Sequence, residues 1–244
     1  MHPLIVNADD FGYSRCVNRG IIEAHERGIV TSASLMVNRA AAAEAADYGR
    51  GRCDFGVGLH VELRHWRTQR RPWSRVRSDD RLQRAVAVEV AEQIERFEAL
   101  MGCPPTHLDS HHHRHRLPLF RSIFETAARD LGVPLRHLDH RVRFCGEFYG
   151  HDGAGKPDHG SITPGALISL LEGLPPGATE LGCHPGYVDD LHDWYRQERV
   201  LEIEALCHPS VREAVGRLGL VLATFRALAN RSDSVPADVG AGSS

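Results

Sequence analysis

The chain has 244 residues, of which 42% are hydrophobic and 25% are charged. These fractions are typical of globular proteins and exclude an intrinsically disordered or fibrous chain. The 29 basic and 32 acidic residues nearly balance, at a formal net charge of -3, which excludes nucleic-acid binding driven by overall charge. The length suits one α/β-barrel domain, which we expect to cover residues 1–229.

The cysteines and the N-terminus bear on the cellular compartment. Six cysteines are scattered without a Cys-x-x-Cys pair, and a chain of this length folds without disulfides, so we predict reduced thiols in a cytoplasmic protein. The N-terminal sequence MHPLIVNADDFG lacks a basic segment followed by a long apolar one. We therefore predict neither a signal peptide nor a contact with a membrane.

Predicted strands and helices alternate along the chain. The strands are short runs rich in branched residues, and the helices have apolar residues three and four apart. Such alternation predicts a parallel sheet, and about seven units predict a closed or nearly closed (β/α)-barrel. In chain order we predict strands at 4–6, 29–37, 55–61, 106–109, 135–138, 180–183 and 221–225, helices at 17–27, 39–48, 82–101, 119–131, 163–174, 195–206 and 210–218, and a disordered tail at 230–244.

Polar clusters follow four of the predicted strands. They are NADDFG at residues 7–12, GLH at 58–60, HLDSHHHRH at 107–115 and CHPGY at 183–187. Active-site groups of (β/α)-barrels lie at the C-terminal strand ends, so we expect all four clusters on one face. The chain also contains 16 histidines, an excess that usually indicates metal or proton chemistry.

Asp9 and Asp10 come directly after the first predicted strand. In an extended chain they would point in opposite directions, but a turn can bring both carboxylates to one pocket. One carboxylate can then bind a cation while the other accepts a proton from water. The alternative is that the pair caps the helix that starts near Ser14.

Histidines supply the other candidate ligands. If residues 111–115 are extended, His111, His113 and His115 share a face and point into the pocket, whereas His112 and Arg114 point away. A lone histidine is more often structural than ligating, but His60 would complete a set of two histidines and one aspartate. Such a set leaves coordination positions open for water and a substrate carbonyl.

His184 follows a predicted strand and precedes a Pro-Gly turn. An imidazole can protonate an amine leaving group near neutral pH, so His184 is our candidate general acid. Stabilisation of the turn is an equally good explanation of this residue.

Taken together, these clusters resemble the YdjC-like carbohydrate deacetylase family of the chitooligosaccharide deacetylase type. Its signatures are NADDFG, a Gly-x-His and a His-x-Asp-Ser-His-x-His-x-His run, and the resemblance extends from Leu4 to about Phe225. It implies a distorted, TIM-like (β/α)-barrel related to the polysaccharide deacetylases, in one catalytic domain. It also implies a metal-dependent hydrolase that removes N-acetyl groups from chitooligosaccharides or related amino sugars.

Carried over residue by residue, the resemblance implies Asp10, His60 and His111 as metal ligands and Asp9 as the base. The family implies Mg²⁺, whereas two imidazoles and a carboxylate favour Zn²⁺ or another transition ion. The expected partner is a small N-acetylated sugar, without nucleic acid or membrane, and the sequence leaves open whether the chain forms a homodimer. The candidate substrate-binding residues are His113, His115, Trp66, Tyr149, Pro185 and Tyr187.

The arginine-rich segment at residues 64–84 departs from the pattern of the chitooligosaccharide-type relatives. Loops after the strands set substrate specificity, and arginines can recognise a phosphate or carboxylate on a sugar. Two alternatives therefore stay open. They are a metal-dependent phosphoesterase on a similar barrel and a non-catalytic sugar-binding protein.

Overall fold

Seven parallel strands form one sheet in the part of the chain that the computed structural model describes, which is residues 2–64, 80–191 and 194–232. Side chains are described up to residue 228. The sheet order is β4-β3-β2-β1-β6-β5, and β7 also pairs with β1. The strands are β1 (His2–Phe11), β2 (Ser32–Leu35), β3 (Gly56–Val61), β4 (Leu108–Ser110), β5 (Val142–Cys145), β6 (Ala178–Cys183) and β7 (Leu220–Leu222).

Eight α-helices lie in the same described ranges. Parallel neighbours cannot be joined by a tight turn, so helices provide most of the connections between the strands. A 3-10 helix, His111–Arg116, follows β4, and a second, His159–Ile162, precedes α5. The α-helices are α1 (Arg15–Glu26), α2 (Ala42–Gly49), α3 (Asp80–Met101), α4 (Arg121–Leu131), α5 (Pro164–Glu172), α6 (Gln197–Leu206), α7 (Pro209–Arg217) and α8 (Phe225–Ser232).

Strand β1 lies at the centre of the core. Leu4, Ile5 and Val6 are completely buried, because a parallel strand in the middle of a sheet is covered on both faces. Residues 4–8 of β1 pair with β6, residues 7–11 with β2, and residues 2–4 with β7. The longest strand of the sheet therefore brings the NADDF segment to the end where β2 and β6 also finish.

The first strand is longer than predicted, since it continues to Phe11. Its register with β2 shifts between Ala8 and Phe11, and Asp10 has a φ of 69°. The strand therefore contains a β-bulge near Asp10, in place of the turn that we expected after the strand. Helix α1 is capped by Ser14, whose side chain accepts from the Val17 N–H at 3.1 Å. Asp9 and Asp10 therefore do not cap α1, and the alternative prediction that they form this cap is wrong.

The sheet is curled, and its two ends are β4 and β5. The chain that follows α4 lies against β4 through a single bridge between Leu108 and Leu135. The fold is therefore a distorted, TIM-like (β/α)-barrel, which confirms the prediction.

Two predicted elements near the chain's middle and end differ from the structure. The prediction of a strand at 135–138 is wrong, because His137 adopts a left-handed φ of 63° that ends the extended backbone. The strand in this part of the chain is β5. The final strand ends at Leu222, and α8 includes residues 230–232 of the predicted tail. Residues 233–244 of that tail lie outside the described residues.

Two further observations concern membranes and disulfides. None of the helices in the described ranges combines the length and the apolar character that crossing a bilayer requires. All six cysteines are free thiols.

Candidate active site

A cavity of about 780 Å³ opens at the C-terminal ends of β1, β3 and β6 and beside the 3-10 helix that follows β4. Ligand sites commonly have volumes of roughly 300–1,000 Å³. All four polar clusters of the sequence contribute to its wall, as predicted from their positions after strands. Their contributions are Asp9 and Asp10, His60, His111 to His113, and His184.

Asp10, His60 and His111 converge at the base of this cavity. One potential ligand atom from each lies within 4.8 Å of the other two. Oδ1 of Asp10 is 3.2 Å from Nδ1 of His111 and 3.6 Å from Nε2 of His60. This oxygen is buried and has no hydrogen-bond partner among the residues that the structure describes. A buried anionic oxygen between two imidazole nitrogens fits a cation, because an unsatisfied polar atom there would otherwise be costly.

The other oxygen of Asp10 is occupied by the protein itself. Nη2 of Arg199 donates to Oδ2 at 2.6 Å, and both side chains are buried. Burial alone would raise the pKa of Asp10, but Arg199 and His111 outweigh burial and hold this pKa well below its usual range. The carboxylate is therefore ionised and presents one oxygen to the candidate ion.

His60 is oriented by Asp109, which lies beside it on the neighbouring strand β4. Nδ1 of His60 lies 2.7 Å from Oδ1 of Asp109, so Nε2 is the nitrogen that faces Asp10. Burial would lower the pKa of His60, yet the Asp109 carboxylate raises it to about 9. A carboxylate behind a ligating histidine is a common way to fix its ring and raise its basicity.

A second group of buried ligand atoms comes from Asp9, His60 and Asp109. This group is less suited to a cation, because the Arg136 guanidinium donates to both Asp9 and Asp109. A positive charge already fixed between the two carboxylates opposes a second one.

Asp9 is held by one oxygen and open at the other. Its Oδ1 accepts from Nη1 of Arg136 at 2.7 Å and from Nδ2 of Asn7 at 2.9 Å. Its Oδ2 lies 3.8 Å from Nε2 of His184. Burial would raise the pKa of Asp9, but Arg136 and His60 lower it overall. The bulge of β1 lets this side chain and its neighbour reach the same cavity.

His184 lies on the cavity wall. Its main-chain N–H donates to the carboxylate of Glu202, and its ring is 5.5 Å from that of Tyr149 and 5.8 Å from that of Tyr195. Burial lowers the pKa of His184 below its usual value. The imidazole is therefore neutral at pH 7, with Nε2 toward the carboxylate of Asp9.

The histidine run is not extended, and this changes which side chains reach the cavity. His112 and His113 have left-handed φ values of 55° and 52°, so the backbone kinks at these two residues and interrupts the helical turns of residues 111–116. His113 lines the cavity as predicted, but so do His112 and Arg114. The prediction for His115 is wrong, since it is completely buried and its Nε2 lies 3.1 Å from the main-chain oxygen of Arg136.

The remaining substrate-binding predictions have mixed outcomes. Tyr149 lies on the cavity wall, whereas Pro185 and Tyr187 do not. The hydroxyl of Tyr187 donates to Glu23 of α1 at 2.6 Å, because the Pro-Gly turn directs that side chain toward the helix rather than the cavity. Trp66 lies outside the described residues.

Sequence reasoning missed several residues of the site. They include two buried arginines that pair with the aspartates, two buried residues next to His184 and one exposed tryptophan of the cavity wall. A buried arginine has no local signature, because arginine is mostly exposed in proteins. These missed residues are Arg136, Arg199, Trp194, Tyr195 and Glu202.

This fold and this set of side chains define a (β/α)-barrel with a candidate hydrolytic metal centre at the ends of its strands. The chain belongs to the YdjC-like protein family, which it matches over residues 3–217. The resemblance stated from the sequence motifs is confirmed.

Two relatives show how far this similarity extends. The chain is 36% identical to a carbohydrate deacetylase of Geobacillus stearothermophilus, over 91% of this chain and 96% of the relative. It is 35% identical to a chitooligosaccharide deacetylase of Klebsiella pneumoniae, over 91% of this chain and 98% of the relative.

Solved structures with the same fold extend the comparison. A crystal structure of an Enterococcus faecalis V583 protein, whose name refers to cellobiose-phosphate cleavage, matches with a TM-score of 0.74 and 26% identity, covering 93% of this chain and 98% of that one. A family 4 carbohydrate esterase from Streptomyces lividans, in complex with acetate, matches with a TM-score of 0.53 and 15% identity, covering 91% of this chain and 92% of that one. The second likeness shows a shared fold.

Proposed function

We propose that this protein is a metal-dependent hydrolase that removes the N-acetyl group of a small amino sugar, such as a chitooligosaccharide. The observation that carries the proposal is the buried Oδ1 of Asp10, which lies between two imidazole nitrogens and has no hydrogen-bond partner among the described residues, beside the separately held carboxylate of Asp9. The two deacetylase relatives, each matched over 91% of this chain, support the same reaction.

Asp10, His60 and His111 are the residues that would hold a divalent ion. When bound, such an ion supplies Lewis-acid chemistry, which polarises an amide carbonyl and makes water more acidic. The family resemblance favours Mg²⁺, and the two imidazoles favour Zn²⁺ or another transition ion. Asp109 holds the His60 ring in orientation, and Arg199 holds the Asp10 carboxylate in orientation.

Asp9 serves as the general base in this proposal. Its Oδ1 is fixed by Arg136 and Asn7, so Oδ2 is the oxygen that accepts the proton of the attacking water. The lowered pKa of Asp9 keeps this carboxylate ionised near neutral pH, ready to accept the proton.

His184 moves the proton onward to the leaving group. Its imidazole is neutral before the reaction, and its Nε2 is 3.8 Å from Oδ2 of Asp9. The proton that Asp9 takes from water passes through His184 to the amine nitrogen as the carbon–nitrogen bond breaks. Water thus provides the hydroxyl group of acetate and one proton of the amine, and the enzyme returns to its starting state.

The test is acetate release from N-acetylglucosamine, its oligomers and its phosphate derivatives, with Mg²⁺, Mn²⁺, Co²⁺ and Zn²⁺ supplied in turn. We expect Asp9→Asn to keep the metal and lose most of the turnover. Asp10→Asn and His111→Ala should lose both metal and turnover, whereas Asp47→Asn, an exposed control, should change neither. Near-native turnover of Asp9→Asn would reject its role as base.

A phosphoesterase is the second candidate. The observation that favours it is that Arg39 and Arg114 line the same cavity, and guanidinium groups recognise phosphate. Release of phosphate without acetate from an N-acetylated sugar phosphate would favour this second reaction.

We also propose a cytoplasmic location, because six free thiols suit a reducing compartment.

A further inference from the structure

Trp194 gives the cavity an exposed aromatic surface. Its side chain lines the cavity, and 63% of the residue is exposed. Among the described residues, the other large hydrophobic side chain with such exposure is Val88, on α3. One face of a pyranose ring carries mainly C–H groups, so it packs on a flat aromatic ring and removes both surfaces from water.

The indole contacts a group of side chains that are themselves hydrogen-bonded. Its ring is 4.6 Å from that of His151 and 6.0 Å from that of Tyr195. Nε2 of His151 lies 3.0 Å from Oε1 of Glu198, which is also 2.9 Å from Nε2 of His159. A platform held in one orientation loses less conformational entropy when a ligand binds.

The rings of Tyr149 and Tyr195 connect Trp194 to His184. Tyr149 and Tyr195 stack at 4.8 Å with an angle of 8° between their planes. The two rings are 5.5 Å and 5.8 Å from the His184 ring, and the Tyr195 ring is 6.0 Å from the Trp194 ring. An aromatic wall therefore continues from His184 to Trp194, and a cavity of about 780 Å³ has room for more than one sugar ring.

We propose that Trp194 is the stacking platform for a second sugar ring, the one linked to the ring that loses its acetyl group. The proposal rests on the deacetylase function. It makes Trp194 a specificity-determining residue that favours N-acetylated disaccharides and longer oligosaccharides over the monosaccharide.

The experiment compares acetate release from N-acetylglucosamine and from its β-1,4-linked disaccharide by the metal-loaded enzyme. We expect Trp194→Ala to raise KM for the disaccharide about tenfold, the loss expected for one aromatic contact. The kcat for the disaccharide and both constants for the monosaccharide should stay within about twofold. Trp194→Phe, which keeps a flat ring, should recover part of the loss, and Val88→Ala should behave like the parent.

A direct signal comes from tryptophan fluorescence. The chain has three tryptophans, and the part of the emission that Trp194→Ala loses comes from Trp194. The disaccharide should change this emission at lower concentration than the monosaccharide does. If the parent deacetylates the disaccharide and Trp194→Ala has an unchanged KM, the inference about Trp194 fails while the function stands. If the parent releases acetate from neither sugar and from none of their phosphate derivatives, the proposed function fails.

Discussion

Nη1 of Arg136 donates to Oδ1 of Asp9 across 2.7 Å, and both side chains are buried. The same guanidinium pairs with Asp109, and its Nε donates to Oε1 of Glu180 at 2.6 Å. One cation thus pairs with three buried carboxyl groups, among them the proposed base and the group behind His60. Even so, burial raises the pKa of Glu180 to about 7.

Replacing Arg136 by methionine should destabilise the protein strongly. The three acidic partners would stay buried without their counter-ion, which typically costs about 3–5 kcal/mol. The free energy of unfolding, measured by urea denaturation at pH 7, checks this. Arg217→Met is the matched control, because its pair with Glu172 is exposed and should cost less than about 1 kcal/mol. Equal losses in the two variants would contradict this account of Arg136.

Asp109→Asn should weaken metal binding without removing a ligand. Its carboxylate holds Nδ1 of His60 at 2.7 Å, and loss of such a partner typically costs 10- to 100-fold in metal affinity. Competition with a chelator of known affinity measures the change. Asp130→Asn, at an exposed position on α4, is the control. An Asp109→Asn variant with the parent's affinity would show that His60 does not need this support.

Stability should fall as the solution becomes acidic, partly because of His107. Burial lowers the pKa of this imidazole to about 3 from an ordinary 6.5. Below pH 6.5 the unfolded chain binds a proton that the folded chain does not. The contribution is therefore complete above pH 6.5 and is lost as the pH falls toward 3, by roughly 2 kcal/mol at pH 5.

Urea denaturation at pH 7 and pH 5 checks this dependence. His107→Gln should show a smaller difference between the two pH values than the parent, whereas the exposed control His140→Gln should show the parent's difference. His115, whose pKa burial lowers to about 4, acts in the same direction in all three proteins. An unchanged pH difference in His107→Gln would remove His107 as a cause.

Gly58→Ala should disturb the packing between β3 and the residue that precedes β4. A Cβ added at Gly58 would come within 2.3 Å of Nε2 of His107, and such overpacking typically costs about 1–3 kcal/mol. Thermal unfolding measures the loss. Gly165→Ala, where an added Cβ meets nothing within 4 Å, should unfold at or slightly above the parent's temperature. A stable Gly58→Ala protein would mean that the His107 ring can move.

The sequence predicted the barrel and the end of the sheet that carries the site. Branched residues such as those of β1 identify the buried strands, and the polar residues that follow them mark the strand ends. The cluster of Asp10, His60 and His111 follows from that rule together with the family motifs. These features are local, so they can be read from short stretches of chain.

What the sequence could not predict depends on distant contacts or on backbone strain. Arg136 is 127 residues from Asp9, and nothing in its local sequence distinguishes it from an exposed arginine. The left-handed conformation of His112 and His113 could not be predicted, because a positive φ is uncommon outside glycine even though histidine adopts it more often than most residues do. That turn carries His115 away from the cavity, to where its Nε2 lies 3.1 Å from the main-chain oxygen of Arg136.

The bulge at Asp10 has a consequence for how this scaffold can diversify. Because two adjacent residues of one central strand face the same cavity, the spacing between the proposed proton acceptor and the proposed ion-holding carboxylate is built into the backbone of β1. Insertions in the loops around the rim can reshape which sugar fits without altering that spacing. Substrate choice and bond-breaking chemistry can therefore change independently of one another.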